Sequence, residues 1–298
     1  MPARHSILII VLFWLASTAW LFHREFWPHW RGGEAPPFTI DLAYEAQRHA
    51  LPSSWSIIRG QERLGFIHTW VIYKSEDDTF ELHSGPLQSS STQNIKLVET
   101  AALKVVVSDM QGMYRVTREG ELRQMKGKAT VTLSLGHTPL AHVVVDIGGD
   151  VKDGMFIPYG TVDWGSGKQK LDLEPVPFTS RDSILNPMHP LSRIGGLRPG
   201  QHWQLKPVNP LADSFATLAE KMPGLEFLLQ KDPRAKVLAA EVLPDIQILI
   251  IDQIEVPCLV IEYKGDDLAA HTWVRASDGK VMRQEATLWG VKLILERL

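Results

Sequence analysis

From Trp55 to the carboxy terminus the chain is a succession of strand-like runs, and this constrains its fold more than any other feature. The runs include SWSIIRG, GFIHTWVIY, TFELHS, KLVETAALKVVVS, GMYRVTREG, LRQMKGKATVTLSL, AHVVVDI, IQILIIDQI, VPCLVIEY, HTWVRAS, KVMRQEATL and VKLILERL. Each is rich in Val, Ile, Thr and aromatic residues, and Gly, Asp, Asn or Pro punctuate them. Several alternate strictly: Val291, Leu293 and Leu295 share one face, while Lys292 and Glu296 share the other. Asp278-Gly279 is a strong hairpin signal, and Gln111-Gly112 and Glu119-Gly120 are weaker ones. No regular alternation of strands with helices occurs, which argues against a doubly wound parallel sheet. The expectation is a mainly β fold: a strongly curved antiparallel sheet or open barrel.

Ahead of this body lies an uncharged apolar run, Ile7 to Phe22, with Arg4 before it and Arg24 after it. It is shorter than the roughly 20 residues of an ideal membrane-spanning helix. Four of the ten tryptophans, Trp14, Trp20, Trp27 and Trp30, crowd into this part of the chain. Trp20, Trp27 and Trp30 are placed to form an interfacial aromatic belt. Two readings stand side by side. One is an uncleaved anchor over 1–23, a single amino-terminal transmembrane helix holding the body on the periplasmic side of an inner membrane. The other is a cleavable signal peptide with Ser17-Thr18-Ala19 at the cleavage site, releasing a secreted body. Residues 24–52 read as a linker and short helix. RGGEAPPF is the linker, and Thr39 caps a helix that brings Ile40, Ala43, Tyr44 and Leu51 near one face. Residues 53–298 read as one antiparallel β domain with a helical insertion near 211–231. The strand GFIHTWVIY is apolar on both faces, which predicts cover on two sides.

Three stretches together carry a resemblance. They are WSIIRGQERLGFIHTWVIY, DMQGMYRVTREGELRQM and the carboxy-terminal IDQIEVPCLVIEYKGDDLAAHTWVRASDGKVMRQEATLWGVKLILERL. Their spaced Gly, Trp and turn residues resemble an exported, β-rich domain-of-unknown-function family of bacterial envelopes. The layout is also similar to segments that accompany transglutaminase-like envelope proteins. The resemblance implies a curved antiparallel sheet outside the cytoplasm and brings no catalytic residue with it.

The residues themselves narrow the chemistry. Cys258 is the single cysteine, so no intramolecular disulfide and no cysteine-based metal ribbon can form, and no cysteine follows the apolar run for lipoprotein modification. It sits within a strand pattern as an inert buried thiol, which leaves cysteine catalysis without its nucleophile. No G-x-S-x-G elbow or H-E-x-x-H pattern occurs among the eleven histidines, and no cofactor or metal is expected. A net charge of −3 offers no general attraction to nucleic acid. The candidate ligand-binding residues are Asn186, His189, Arg193 and Trp203, in a segment whose prolines forbid regular helix, together with Tyr159, Asp163 and Trp164. In the same region Gly165-Ser166-Gly167-Lys168 lacks the lysine placement of a phosphate loop and reads as a turn. The leading expectation is a non-enzymatic, membrane-anchored envelope protein that binds an amphiphile or another envelope component. The alternatives are an accessory or scaffold subunit of a membrane complex, and an unrecognised hydrolase built around His189, Arg193 and nearby carboxylates.

Overall fold

Alternating side chains can pack one face of a sheet while leaving the other to water, and long antiparallel strands here do so in series. The computed structural model describes residues 13–20, 42–47, 52–86, 95–99, 103–118, 120–136, 138–178, 193–205, 238–265, 269–288 and 291–298. In the amino-terminal part of the body, a short helix α1 (Leu42–Gln47) precedes β1 (Ser53–Arg59), β2 (Glu62–Lys74), β3 (Thr79–Gly85), β4 (Ile95–Glu99) and β5 (Leu103–Thr117). There follow β6 (Leu122–Leu135), β7 (Thr138–Lys152), β8 (Met155–Asp163), β9 (Lys168–Lys170) and β10 (Val176–Pro177). The carboxy-terminal part contains β11 (His202–Leu205), β12 (Leu238–Val242), β13 (Gln247–Ile251), β14 (Ile254–Lys264), β15 (Ala269–Arg275), β16 (Val281–Leu288) and β17 (Val291–Arg297).

Among the described residues 17 strands join one sheet, and every pairing between them is antiparallel. The long strands run in the order β8, β7, β6, β5, β3, β2, β1, β17, β16, β15, β14, β12, β11. The shorter β4 shares an edge of β5 with β3, β9 and β10 share the far edge of β8, and β13 lies beyond β12 along β14. The sheet is open: among the described residues β11 pairs with neither β9 nor β10. The first and last strands meet in its middle, with Trp55 opposite Arg297 and Arg59 opposite Leu293. Two arms extend from this junction, β2 to β10 on one side and β11 to β16 on the other.

One face carries the core along both arms. Around the junction Trp55, Ile57, Ile67, Trp203, Ile261, Val274 and Leu295 form a single buried cluster. On the other arm Phe80, Leu82, Val116, Met125 and Phe156 form a second cluster, against which Leu42, Ala43 and Ala46 of α1 pack. That packing explains why so short a helix persists, since isolated helices of this length do not. Trp55 is fully buried, and its indole N–H donates to Thr69 Oγ1 at 3.0 Å. The Arg297 guanidinium lies 5.6 Å from the centre of the same ring and donates to Ser53 Oγ at 2.7 Å.

Glycines in the strands mark close approaches. Gly148 and Gly149 on β7 face Tyr159 and Pro158 on β8. A Cβ at Gly148 would strike the Tyr159 ring, and one at Gly149 would overlap Phe156. The pair thus lets an aromatic ring lie flat on each face of the sheet.

Several expectations are corrected. Gln111-Gly112 is not a turn but lies inside β5, where Gly112 accommodates Ser84; the irregularity comes earlier, at Asp109, whose φ is 52°. The run IQILIIDQI is broken by a hairpin at Asp252-Gln253, with φ of 47° and 68°, as a two-residue primed turn requires. In GFIHTWVIY, Ile67 and Thr69 are buried on one face, whereas on the other Phe66 and Ile72 are exposed and Trp70 is half-buried against His83. For the expected transmembrane helix, residues 13–20 are helical, and no helix among the described residues is long and apolar enough to cross a membrane. The expected insertion near 211–231 lies outside the described residues.

Removing the Trp55 ring leaves a cavity at the junction of the two arms and orphans Thr69. Trp55→Ala is expected to destabilise the fold by about 3–5 kcal/mol, read as a lower urea midpoint. Trp164→Ala, on an exposed turn, should stay within about 0.5 kcal/mol of the parent.

Candidate functional site

The face of the carboxy-terminal arm opposite the core is set by alternation on four adjacent strands. Glu262 on β14 stands across from His271 on β15, which stands across from Glu285 on β16. One row along, Val260 faces Trp273, Trp273 faces Arg283, and Arg283 faces Glu296 on β17. Cross-strand neighbours are within side-chain reach on the same face, so register alone assembles an aromatic, charged surface.

A cleft of about 320 Å³ opens on this face, with Leu243, Gln247, Val260, Trp273, His271, Glu285 and Lys292 among its walls. Beneath it Cys258 and Val260 are fully buried, and Leu249 and Val256 pack beside them. The Trp273 indole N–H donates to Gln247 Oε1 at 3.3 Å, which ties β15 to β13 across β14. The Trp273 ring lies 5.7 Å from that of His271 and 6.0 Å from the Arg283 guanidinium carbon.

Charges at the rim are paired. Lys292 Nζ lies 2.6 Å from Glu285 Oε2, and Arg283 reaches Glu296 at 3.1 Å. Glu262 receives Lys264 on one oxygen and His271 Nε2, at 3.4 Å, on the other. Lys264 first, with His271 adding to it, holds the Glu262 carboxyl below the usual carboxylate range. Cys258 has the opposite environment: burial pushes its thiol up to about 11, against the pull of Arg275. This is the state of an inert core thiol rather than a nucleophile. Thiol reagents at pH 8 are therefore expected to modify native protein at least 100-fold more slowly than urea-unfolded protein.

The sequence candidates fall in different places. Tyr159 lies on β8 in the other arm, its ring over Gly148, and burial followed by Asp150 and Asp146 raises its hydroxyl pKa. Asp163 ends the same strand and accepts the Gly165 N–H at 2.9 Å, closing the turn into β9. Trp164 is exposed within that turn. Trp203 is buried in the junction core rather than placed at a surface site, because its position on β11 points inward beside Ala240 of β12. Arg193 forms an isolated bridge with Lys280, beside the Asp278-Gly279 hairpin. Asn186, His189, Trp27 and Trp30 lie outside the described residues, and Trp20 is exposed on the helical segment 13–20. The cleft residues His271, Trp273 and Glu285 escaped sequence reading. Their only signal was the HTW run, and what groups them is cross-strand register rather than spacing along the chain.

The Asp278 hairpin carries a two-point charge pairing. Arg275 donates to Asp278 through Nε at 2.8 Å and Nη2 at 2.6 Å, and the Lys280 N–H adds a bond at 3.2 Å. Gly279 has φ 73°, and a Cβ there would press on the Ile194 carbonyl, so the glycine serves both the turn and the docking of 193–194. The Arg275 contact chiefly holds the Asp278 carboxyl at about 2.

No protein-family model matches the chain, and no curated protein matches it in sequence. Among solved structures, it is similar to the crystal structure of a beta-barrel-like protein of domain of unknown function DUF1849 from Brucella abortus. The TM-score is 0.37 and the identity 8%, over 83% of this chain and 95% of that one. At such values the likeness carries neither barrel closure nor function to this chain. The resemblance to segments accompanying transglutaminase-like proteins gains no support from it.

Because the folded pKa of Asp278 lies below its ordinary value, the stabilisation it contributes is present above about pH 4 and is lost as pH falls through about 2. Asp278→Asn should remove about 1 kcal/mol at pH 7, discounted for partial exposure. The same substitution should remove that part of the stability decline between pH 4 and 2, measured by urea unfolding.

Proposed function

We propose that the protein is a membrane-tethered, extracytoplasmic β protein that binds an amphiphilic molecule in the cleft of the carboxy-terminal arm. The observation that carries this reading is the mixed wall of the cleft. Leu243 and the Trp273 ring offer apolar surface above the buried Val260, while the Glu285–Lys292 pair and His271 offer polar partners at the rim. An apolar chain laid along that surface would be removed from water, and a zwitterionic head could exchange partners with the rim pair. The volume falls at the low end of small-ligand pockets. The inner face is filled by the junction cluster, so the ligand belongs on the outer face of a sheet bent around that core.

The tether rests on the uncharged run Ile7 to Phe22. Phe13, Trp14, Leu15 and Trp20 in the helical segment 13–20 are each more than half exposed, so the body does not bury them. A bilayer would. An anchored body in the periplasm and a secreted body after cleavage differ only in whether this run is retained. The accessory-subunit alternative shares the tether and replaces the small amphiphile with a protein. A hydrolase is less well supported. The Glu262 carboxyl is held low by Lys264 and His271, whereas a general acid at neutral pH needs its proton held more tightly.

Calorimetric titration with lysophosphatidylcholine below its micellar concentration tests the reading. Saturable binding is expected, weakened at least tenfold by Trp273→Ala and unchanged by Tyr159→Ala on the other arm. Equal affinity in the Trp273→Ala protein would move the ligand elsewhere, and no heat of binding would remove amphiphile recognition altogether.

A further inference from the structure

The hairpin of β13 and β14 extends past the rest of the arm. β14 uses Ile261 to Lys264 to pair with β12 and Ile254 to Cys258 to pair with β13. The other edge of β13 meets no strand among the described residues, so a row of backbone N–H and C=O groups faces outward there. Ile246, Ile248 and Ile250 alternate on one face and are 56%, 54% and 67% exposed. An exposed edge strand with an apolar face is a template for further pairing, and proteins usually blunt such edges with lysine, proline or a bulge. From Gln247 to Ile251 there is no lysine or proline, and the register with β14 runs without a shift.

Charge narrows the occupant. Between Pro244 and Pro257 the sequence carries Asp245, Asp252 and Glu255 and no basic residue. An apolar finger bordered by three carboxylates is poorly suited to a bilayer, where ionised carboxylates are costly and anionic lipids repel them. A second copy would bring the same carboxylates toward one another, and the three isoleucines offer far less area than a stable dimer of about 1,200–2,000 Å² buries. A partner with lysine or arginine at both ends of a short extended apolar segment meets every feature.

We propose that the free edge of β13 is a docking site for a partner protein's extended apolar segment flanked by basic residues, which adds to the sheet as a further antiparallel strand. Main-chain hydrogen bonds would supply most of the affinity, the isoleucine stripe would select alternate apolar side chains, and the acidic border would select the basic ends. The edge and the amphiphile cleft lie on the same arm and share Gln247 of β13, but the docking groups are the free backbone edge and the isoleucines of the opposite face.

Fluorescence anisotropy of the full chain in dodecylmaltoside, with a labelled Lys-Lys-Thr-Val-Thr-Val-Thr-Lys-Lys peptide, tests this. Saturable binding is expected, at least tenfold weaker for the same peptide with glutamate ends and weakened further by added salt. The double variant Ile248→Lys, Ile250→Lys should also lose at least tenfold, with its circular dichroism unchanged. If that variant is misfolded, Ile248→Thr with Ile250→Thr serves in its place. Tyr159→Ala, on the other arm, should bind the peptide as the parent does. Equal binding of both peptides, or no effect of the isoleucine substitutions, would overturn the proposal. So would a dimer seen by sedimentation, or binding to phosphatidylcholine–phosphatidylglycerol vesicles, that the same substitutions abolish.

Discussion

The pairing of β1 with β17 is the constraint on which the rest of the sheet depends. It joins opposite ends of the body, pairing Arg59 with Leu293 and Trp55 with Arg297, and the Arg297–Ser53 hydrogen bond spans a sequence separation of 244. Loop-closure entropy opposes contacts of that separation, so what holds them must be substantial. Trp55 supplies it. Its ring is fully buried, its N–H is satisfied by Thr69, and Arg297 covers it. Without this junction the two arms would be separate open sheets, each with one more unpaired edge.

Once the junction holds the strands in register, the chemistry of the outer face follows. The alternation along β14, β15 and β16, shifted once at a bulge between Trp273 and Val274, sends Ile261, Val274 and Ala286 into the core and Glu262, His271, Trp273 and Glu285 to the opposite face. Core and cleft are therefore two faces of the same strands. A register slip of one residue would exchange them, so the stability of the arm and the integrity of the cleft are coupled. The Asp278 hairpin protects this register at one end by binding Arg275 on the strand before it and the Lys280 N–H immediately ahead of the strand after it.

Much of the strand layout was legible because it rests on local preferences. β6 matches its predicted run Leu122 to Leu135, the Glu119-Gly120 signal falls in the connection between β5 and β6, and Gly165 to Lys168 joins β8 to β9. The Asp153-Gly154 hairpin, with φ of 50° and 72°, carries the same dipeptide as Asp278-Gly279 and was open to the same reading. Asp252-Gln253 was not, because neither residue is the glycine or asparagine that such turns favour. The candidate site was largely illegible. Proline and glycine content drew attention to the segment around Arg193 and Trp203, yet Trp203 serves the core, and the cleft is lined by residues from strands that looked ordinary in sequence.

By itself, the sequence determined the mainly β fold class, the location of most strands, the lack of any disulfide and the uncharged apolar run near the amino terminus. Each of these follows from composition or from periodicity over a few neighbouring residues. Only the tertiary structure decided that the first and last strands meet at the centre and that the sheet stays open. Only it decided that His271 stands between two glutamates and that, among the described residues, β13 is left at an edge with Ile248 and Ile250 exposed. Those are relations between distant segments, set by register and burial, and no local pattern encodes which strand lies beside which.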